Sequence, residues 1–410
     1  MIEKKKKTNN EKAFIACLVL LISLSLFTAV QIYYSVFIHL AIFLVCYLVC
    51  AKEQKRTTAF VSTGIVLCVI FCMMSLMKGY GLAMEHLGLF LHYITWPVLF
   101  VFVVHKFDAE EKRKLLMFIV IICLIGDILS LIQLAKNPDI SRLLAGDLHI
   151  SASERLYYQR AGVGGYGYTF SMAFLTFGVV RWLKLTKNKK EKTLLIAFLI
   201  VNSLYVVNAS YTTAIVLTLV MAGAAIISGM QSWSRVLIVI TAIVLILAFA
   251  NPILQFCHTL AEDLELEWVA KRFGQLVTAE ENDDMSSLRR YELYKESWDT
   301  FALRPIFGAI VDKGDTWGGH SQILDTMAQY GLFSVLLPAF LVYCKNTCCR
   351  YIVNFKLTMF YLAFAVFTFI DTISAMQLPA VIFFVVPLIA YMESEGKLDE
   401  NRNTNLSLGS

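Results

Sequence analysis

The sequence has little charge for its length. Only 16 % of its 410 residues are Asp, Glu, Lys or Arg, against 58 % that are hydrophobic, and this balance lies outside the range of soluble globular domains. The net charge is +5, but in a chain of this kind its distribution along the sequence matters more than its sum. We expect no nucleic-acid partner. The composition predicts an all-α polytopic integral membrane protein.

The sequence also lacks the short motifs of nucleotide-dependent and metal-dependent enzymes. It has no GxxxxGK[ST], no HExxH, no GxSxG and no Cys/His spacing suited to zinc. The glycine-rich stretch RAGVGGYGY (160–168) does not sit between a strand and a helix, so it is not a dinucleotide-binding loop. Ten cysteines fall mostly in apolar spans and predict no disulfide framework. We expect no metal and no cofactor.

Long apolar runs fill most of the chain. Each run has about 17 to 21 residues, enough to cross roughly 30 Å of hydrocarbon. The spans that this pattern predicts are 13–30, 33–51, 58–77, 87–104, 115–135, 162–183, 193–210, 211–228, 236–252, 323–343, 357–376 and 377–392. The sequence therefore predicts about twelve transmembrane helices in a single membrane domain, 1–410.

The distribution of Lys and Arg predicts the orientation of these spans. If the N-terminus is cytoplasmic, the inner segments carry 24 of the 36 Lys and Arg residues. Inner loops are normally the richer ones, since positive charge resists translocation. We therefore expect a multi-pass protein with both termini cytoplasmic.

Two predicted outer loops are too long to be simple connections. The first covers 136–161, and the second is a large loop over 253–322. Apolar spacing over Leu260–Leu276 and N-cap residues near Asp284 predict two helices in the large loop, the second ending before Pro305. Long loops with a pattern of their own are usually functional.

The outer loops hold the candidates for chemistry. His320 follows two glycines and precedes a span, so its imidazole lies near the membrane boundary, where it can accept a proton near neutral pH. Arginine provides planar, permanently charged recognition of phosphate. The arginines that stand out on the outer side are Arg142, Arg155, Arg160, Arg289, Arg290 and Arg304.

These residues have a recognisable order. The relevant positions are Arg290, Tyr294, Pro305-x-x-Gly308, His320, Leu324 and Gly331-Leu332, with Arg160-Ala-Gly-Val-Gly upstream. This order resembles the core of the O-antigen ligase and polymerase superfamily, which includes Wzy-type polymerases of capsule and O-antigen and WaaL-type ligases. The resemblance covers about 160–175 and 289–332. Elsewhere it rests on the number of spans and the late large loop.

The resemblance implies an inverting, metal-independent glycosyltransferase in a helix bundle similar to the GT-C class. The donor would be an oligosaccharide on undecaprenyl diphosphate in the bacterial plasma membrane, and the acceptor a hydroxyl of another lipid-linked repeat unit. His320, Arg290 and Arg160 would be catalytic, with the arginines on the diphosphate. Further substrate contacts would come from Arg289, Arg304, Tyr294, Tyr157, Tyr166, Trp298, Trp317 and Asp325. Apart from the resemblance, Asp325 lies about one turn after His320, so we expect it to orient the histidine. Membrane lipids, a chain-length regulator and a flippase are the expected partners.

Three positions depart from the family pattern. Ser321 stands where Asn usually follows the histidine, Gln329 stands at a commonly acidic position, and Asn208-Ala-Ser210-Tyr211 lacks the arginine of Ser-x-Ser-Arg. The departures bear on finer substrate contacts and leave the assignments of His320 and Arg290 in place.

Two alternatives to the polymerase remain open. A ligase uses the same motif and carrier. An exporter or other transporter is favoured by ionisable residues in or near spans, because intramembrane charge is usually functional. These residues are His39, Glu85, His92, Asp127, Asp325 and Asp371. A transporter built from repeats should have related halves, whereas the largest loop here is placed asymmetrically.

Overall fold

The protein is a helical bundle. The computed structural model describes residues 8–50, 55–138, 140–144, 151–209, 211–228, 255–256, 258–265, 270, 274, 285–311, 316–352 and 357–395, and over these it contains no strand. The main helices are α1 (Asn9–Leu26), α2 (Val36–Cys50), α3 (Lys55–Leu76), α4 (Tyr80–Lys106), α5 (Ala109–Leu134), α6 (Ile140–Leu144), α7 (Ala152–Arg160), α8 (Tyr166–Leu185), α9 (Lys189–Asn208), α10 (Thr212–Ile227), α11 (Met285–Leu303), α12 (Gln322–Tyr330), α13 (Leu336–Cys349), α14 (Thr358–Ile370) and α15 (Gln377–Glu395). Short 3-10 helices cover Thr28–Tyr33, Gly308–Val311 and Gly331–Val335.

The helices have the length and apolarity of a membrane protein. Within the described residues, seven helical segments are long and apolar enough to cross a membrane, including Gln322–Cys349, which joins α12 to α13. Three apolar helices, α2, α10 and α14, are shorter. The predicted span 236–252 lies outside the described residues, so the expected number of about twelve spans is not confirmed.

Two helices form the centre of the bundle. In the most apolar stretches of α4 and α15, 94 % and 89 % of the residues are buried, against 33 % in α3. Peripheral α3 instead exposes Ile65, Val66, Val69 and Met73. A helix that is apolar all round is stable when surrounded by other helices, and a peripheral one can expose apolar side chains to lipid. This pattern of burial is that of a membrane-embedded bundle.

Local sequence signals begin several helices. Thr8, Asp108 and Ser151 each accept the backbone N–H three residues on, and the Glu at that third position accepts the N–H of the cap. Such capping boxes satisfy two N–H groups that have no partner inside the helix. Hydrogen bonds from the Ser151 hydroxyl and backbone lower the pKa of the Glu154 carboxyl. The cap of α7 thus favours an ionised Glu154.

Ion pairs fasten the end of the bundle at which α5 begins and α15 ends. The Arg181 guanidinium donates to both carboxylate oxygens of Glu393 at 2.5 and 2.7 Å, and both side chains are buried. Arg113 pairs with Glu191 nearby, and Lys112 lies 3.4 Å from Glu395. These contacts join α5, α8, α9 and α15. His320 lies at the opposite end of the bundle, because Gln322, two residues after it, bonds Asp371 and Ile373 just before α15 begins.

Much of the described part of the large loop is helical. The predicted helix between Asp284 and Pro305 is present as α11, which ends at Leu303. The predicted helix over Leu260–Leu276 lies mostly outside the described residues. Beyond α11, residues 316–321 form the loop that carries His320 into α12.

Candidate functional site

His320 lies on the 316–321 loop, and its side chain is exposed. The carboxylate of Asp325, one turn into α12, holds the backbone on both sides of the histidine. Asp325 accepts the N–H of Gly319 at 3.2 Å through Oδ1 and the N–H of Ser321 at 2.9 Å through Oδ2. Asp325 is buried, so these bonds are shielded from water and strengthened. It positions His320 through the neighbouring backbone.

A second set of bonds attaches this loop to α11. Ser297 is fully buried, and its hydroxyl donates to Asp325 Oδ1 at 2.6 Å while accepting the N–H of Gly318 at 3.0 Å. Farther along, the Thr300 hydroxyl donates to the carbonyl of Thr316 at 2.9 Å. The loop therefore lies along α11, the helix that contains Arg290.

The glycine pair before His320 offers a matched test of this packing. A Cβ on Gly318 would lie 2.1 Å from the carbonyl oxygen of Leu293, so alanine must push the loop away from α11. A Cβ on Gly319 would meet nothing within 4 Å, and only its φ of +77° opposes substitution. We expect Gly318→Ala to cost about 3 kcal/mol, the upper part of the range for overpacking, and Gly319→Ala about 1 to 2 kcal/mol.

Thermal unfolding of the purified variants in one detergent measures the difference. The apparent Tm should fall further for Gly318→Ala than for Gly319→Ala. The reverse order would mean that the loop does not pack on α11 as described.

The Pro-x-x-Gly and Gly-Leu parts of the motif contact each other. The backbone N–H of Leu332 donates to the carbonyl of Pro305 at 2.8 Å. Gly308 and Gly331 have φ of +66° and +57°, which disfavours other residues, and a Cβ on either would lie within 2.6 Å of facing backbone atoms. These residues form the joint between the end of α11 and the end of α12, so their part in the motif is structural.

Arg289 and Arg290 lie in the early turns of α11, and their side chains lie outside the described part of the structure. Arg290 is seven residues before Ser297, which is two helical turns or about 10 Å along the same side of the helix. Because Ser297 bonds the His320 loop, the backbone of Arg290 is on the side of α11 against which that loop packs. Arg304 follows the helix and is half-buried.

The predicted aromatic contacts differ in their surroundings. The Tyr294 hydroxyl donates to the carbonyl of Ile370 at 2.7 Å, so this residue ties α11 to the end of α14. Trp317 is half-buried, with the Lys78 ammonium 5.7 Å from its ring centroid. Trp298 is 53 % exposed and Tyr157 is 61 % exposed. The last two therefore have the most ring surface available to a ligand.

Arg160 is the last residue of α7 and is exposed. The glycine segment after it crosses the bundle at close range. The Ser130 hydroxyl accepts the N–H of Gly164 at 2.8 Å, and the Gly164 carbonyl accepts the hydroxyls of Ser141 at 2.8 Å and Tyr205 at 3.0 Å. A Cβ on Gly164 would lie 2.4 Å from the Tyr205 hydroxyl. Glycine is thus required here for close packing.

A cavity of about 490 Å³ lies against this glycine segment. The Tyr166 hydroxyl is buried and has no hydrogen-bond partner within the described structure. The residues that line the cavity come from the chain after α1, from α6 to α8, and from the start of α15: Thr28, Gln31, Ile32, Tyr34, Leu144, Gln159, Val163, Gly165, Tyr166, Gly167, Tyr168, Met376 and Gln377. Of the predicted site residues, Tyr166 is in this lining, whereas Arg160 and Tyr157 are not.

The segment 371–377 joins this cavity to the His320 loop. Gln322, two residues after His320, donates its N–H to the carbonyl of Asp371 at 3.2 Å and accepts the N–H of Ile373 at 3.1 Å through its side chain. Gln377, which is four residues after Ile373, lines the cavity. A Cβ on Gly167 would lie 2.2 Å from the Ala375 Cβ, so this segment also packs on the start of α8. The two motif regions therefore flank one short segment.

No family model matches the chain, and no curated protein matches it with significant similarity. The family suggested by the order of the motifs therefore remains a prediction, and so do the roles of the site residues.

Several ionisable residues in the spans have partners inside the bundle. The Tyr168 hydroxyl donates to Asp127 at 3.0 Å. Nε2 of His39 lies 3.0 Å from the Thr95 hydroxyl, and Nε2 of His92 lies 2.9 Å from the Tyr34 hydroxyl. Polar groups buried among helices need such bonds. These contacts account for part of the intramembrane polarity without a transport pathway.

Sequence reasoning missed Ser297, Gln322 and Gln377. Ser297 had a usable signal, since it is two helical turns after Arg290 on the same side of the predicted helix. Gln322 and Gln377 had none, because each is defined by a contact with a segment at least 50 residues away: residue 373 for Gln322 and residue 167 for Gln377.

Proposed function

We propose that the chain is a polysaccharide polymerase that transfers a glycan from undecaprenyl diphosphate to a hydroxyl of another lipid-linked repeat unit. The observation that carries the proposal is the exposed His320 on a loop that Asp325 holds on both sides of the histidine and that packs on the helix of Arg290. A site that positions one basic group beside an arginine-bearing helix has the parts that transfer from a diphosphate carrier requires.

In the proposed reaction His320 accepts the proton of the attacking hydroxyl. The oxygen forms a bond to the anomeric carbon as the bond from that carbon to the diphosphate oxygen breaks, with inversion. Undecaprenyl diphosphate leaves with the electron pair of the broken bond, and Arg290 and Arg160 stabilise its charge. No nucleotide sugar, cofactor or metal enters this scheme.

The proposed setting is the bacterial plasma membrane, with the His320 end at the outer face and both termini in the cytoplasm. The excess of Lys and Arg in the predicted inner segments supports this orientation. Membrane lipids surround the bundle, and the chain-length regulator and flippase of the same pathway are the proposed protein partners.

Deletion of the chromosomal copy, with and without complementation by the wild-type chain, tests the function. A polymerase predicts that the deletion strain loses high-molecular-weight glycan and accumulates single repeat units on the carrier at the outer face. Glycan gels give the chain length. Carrier-linked sugars are labelled in intact cells and then extracted, so that only those at the outer face carry the label.

The other outcomes separate the alternatives. A ligase would leave long glycan on the carrier and remove only its attachment to the final acceptor. An exporter would leave the carrier-linked units at the cytoplasmic face, where they are not labelled in intact cells. Either result would contradict the polymerase.

A further inference from the structure

The cavity beside the glycine segment is unusual in the chemistry of its walls. None of the described residues that line it is Asp, Glu, Lys, Arg or His. A cavity of about 580 Å³ at the opposite end of the bundle contains Arg113, Lys187, Glu191 and Glu393 in its lining. The neutral walls are thus a property of this particular cavity.

Its polar groups are amides and hydroxyls. Three glutamines from separate parts of the chain are among its lining residues: Gln31, Gln159 and Gln377. The hydroxyls of Thr28 and Tyr166, both in the lining, are buried and have no hydrogen-bond partner in the described structure. Buried polar groups are normally paired, and these two hydroxyls are the exceptions among the side chains of the described lining residues.

The cavity also has the shape and surfaces of a small-molecule site. Its volume of about 490 Å³ falls in the usual range of about 300 to 1,000 Å³. The rings of Tyr34 and Tyr166 line it, and the Tyr166 ring is supported by Phe170 at 4.7 Å between centroids. Aromatic faces with surrounding amides and hydroxyls suit a ligand with both C–H faces and hydroxyl groups.

We propose that this cavity is a binding subsite for an uncharged sugar residue of the glycan, a neutral hexose or an N-acetylhexosamine. The amides of Gln159 and Gln377 bond its hydroxyls, and Tyr34 and Tyr166 pack on its ring. Gln31 contributes its amide oxygen, because its NH2 group already donates to the carbonyl of Ser25 at 3.1 Å. The assignment to the glycan rests on the proposed polymerase function.

The same walls select against charge. A uronic acid or a diphosphate would lose its water without gaining a cationic partner from the described lining, and burying an unpaired anion is costly. Diphosphate recognition therefore belongs outside the cavity, with Arg290 and with Arg160, which is next to Gln159 in sequence but is not in the lining. The segment 371–377 sets the distance between the His320 loop and the cavity, because it runs from one to the other.

Saturation-transfer NMR on the purified full chain in detergent tests the subsite directly. The probes are the methyl glycosides of glucose, galactose, N-acetylglucosamine and N-acetylgalactosamine, with methyl glucuronide as the charged counterpart and inorganic pyrophosphate as a competitor. We expect binding of at least one neutral sugar, much weaker binding of the glucuronide and no competition by pyrophosphate.

Two variants locate the binding within the cavity. Gln159→Leu and Gln377→Leu each remove an amide. Each should weaken the affinity for the sugar by about tenfold, equivalent to one or two lost hydrogen bonds. Gln159 is exposed, so its variant remains informative if the buried Gln377→Leu fails to fold. Gln133→Leu makes the same substitution outside the cavity lining and should bind like the wild type.

The proposal is overturned if no neutral sugar binds, if the glucuronide binds as well as the neutral sugars, or if both cavity variants bind normally. These measurements involve no turnover. If the chain binds a neutral sugar but the deletion strain still makes normal polymer, the sugar subsite is supported and the polymerase function is contradicted.

Discussion

Replacing His320 by alanine should reduce polymer formation by about 100- to 10,000-fold, the range associated with loss of a general base. The side chain is exposed, and the loop that carries it is held by Asp325 through backbone groups, so the variant should keep its fold. Glycan gels from the complemented deletion strain measure the polymer. Membrane expression and the apparent Tm of the purified variant verify that the protein is intact.

His258→Ala is the control for this substitution. His258 belongs to the same long segment, 253–322, and its Nδ1 lies 2.8 Å from the carbonyl oxygen of Ala270. The control strain should make polymer of wild-type length. Normal polymer from the His320→Ala strain would exclude His320 as the base and would leave the exposed loop without a catalytic role.

Replacing Arg181 by methionine should destabilise the bundle by about 3 to 5 kcal/mol, the usual cost of removing one partner of a buried ion pair. Glu393 would remain buried, without the guanidinium that bonds both of its carboxylate oxygens. The variant should show a large fall in apparent Tm, measured in detergent with the wild type alongside.

Two further variants show whether the charge itself is responsible. The double variant Arg181→Met/Glu393→Met removes both charges and should recover most of the lost Tm. Lys114→Met breaks an exposed pair with Glu110 on α5 and should leave Tm unchanged, because exposed pairs contribute little. The Arg181 guanidinium also donates to the Ser228 hydroxyl. A double variant as unstable as the single one would mean that Arg181 stabilises the bundle through packing or through this bond instead.

Local sequence was sufficient to predict the helical membrane architecture and the helix of Arg290. Apolar runs predicted helices in places where α1 to α5 are found, and the N-cap residues near Asp284 with Pro305 predicted the position of α11. These features depend on residues within a few turns of each other. Local sequence is not sufficient to predict the number of spans, because the described helices α2, α10 and α14 are shorter than a full crossing.

The surroundings of His320 were only partly predictable. Asp325 was expected to orient the histidine because it lies one turn away in α12. That it acts through the N–H groups of Gly319 and Ser321 depends on the conformation of the loop. The support from Ser297 required α11 to pack against that loop, and no local pattern specifies this contact.

By itself the sequence determined that the chain is an apolar helical protein and placed a histidine at the start of one helix. Spacing, capping and composition act within a segment, so they can be read along the chain. The tertiary structure alone decided that residues 371–377 join the His320 loop to the cavity and that Arg181 meets Glu393, 212 residues away. Such contacts depend on how helices pack in three dimensions, and a single sequence carries no period or spacing that specifies them.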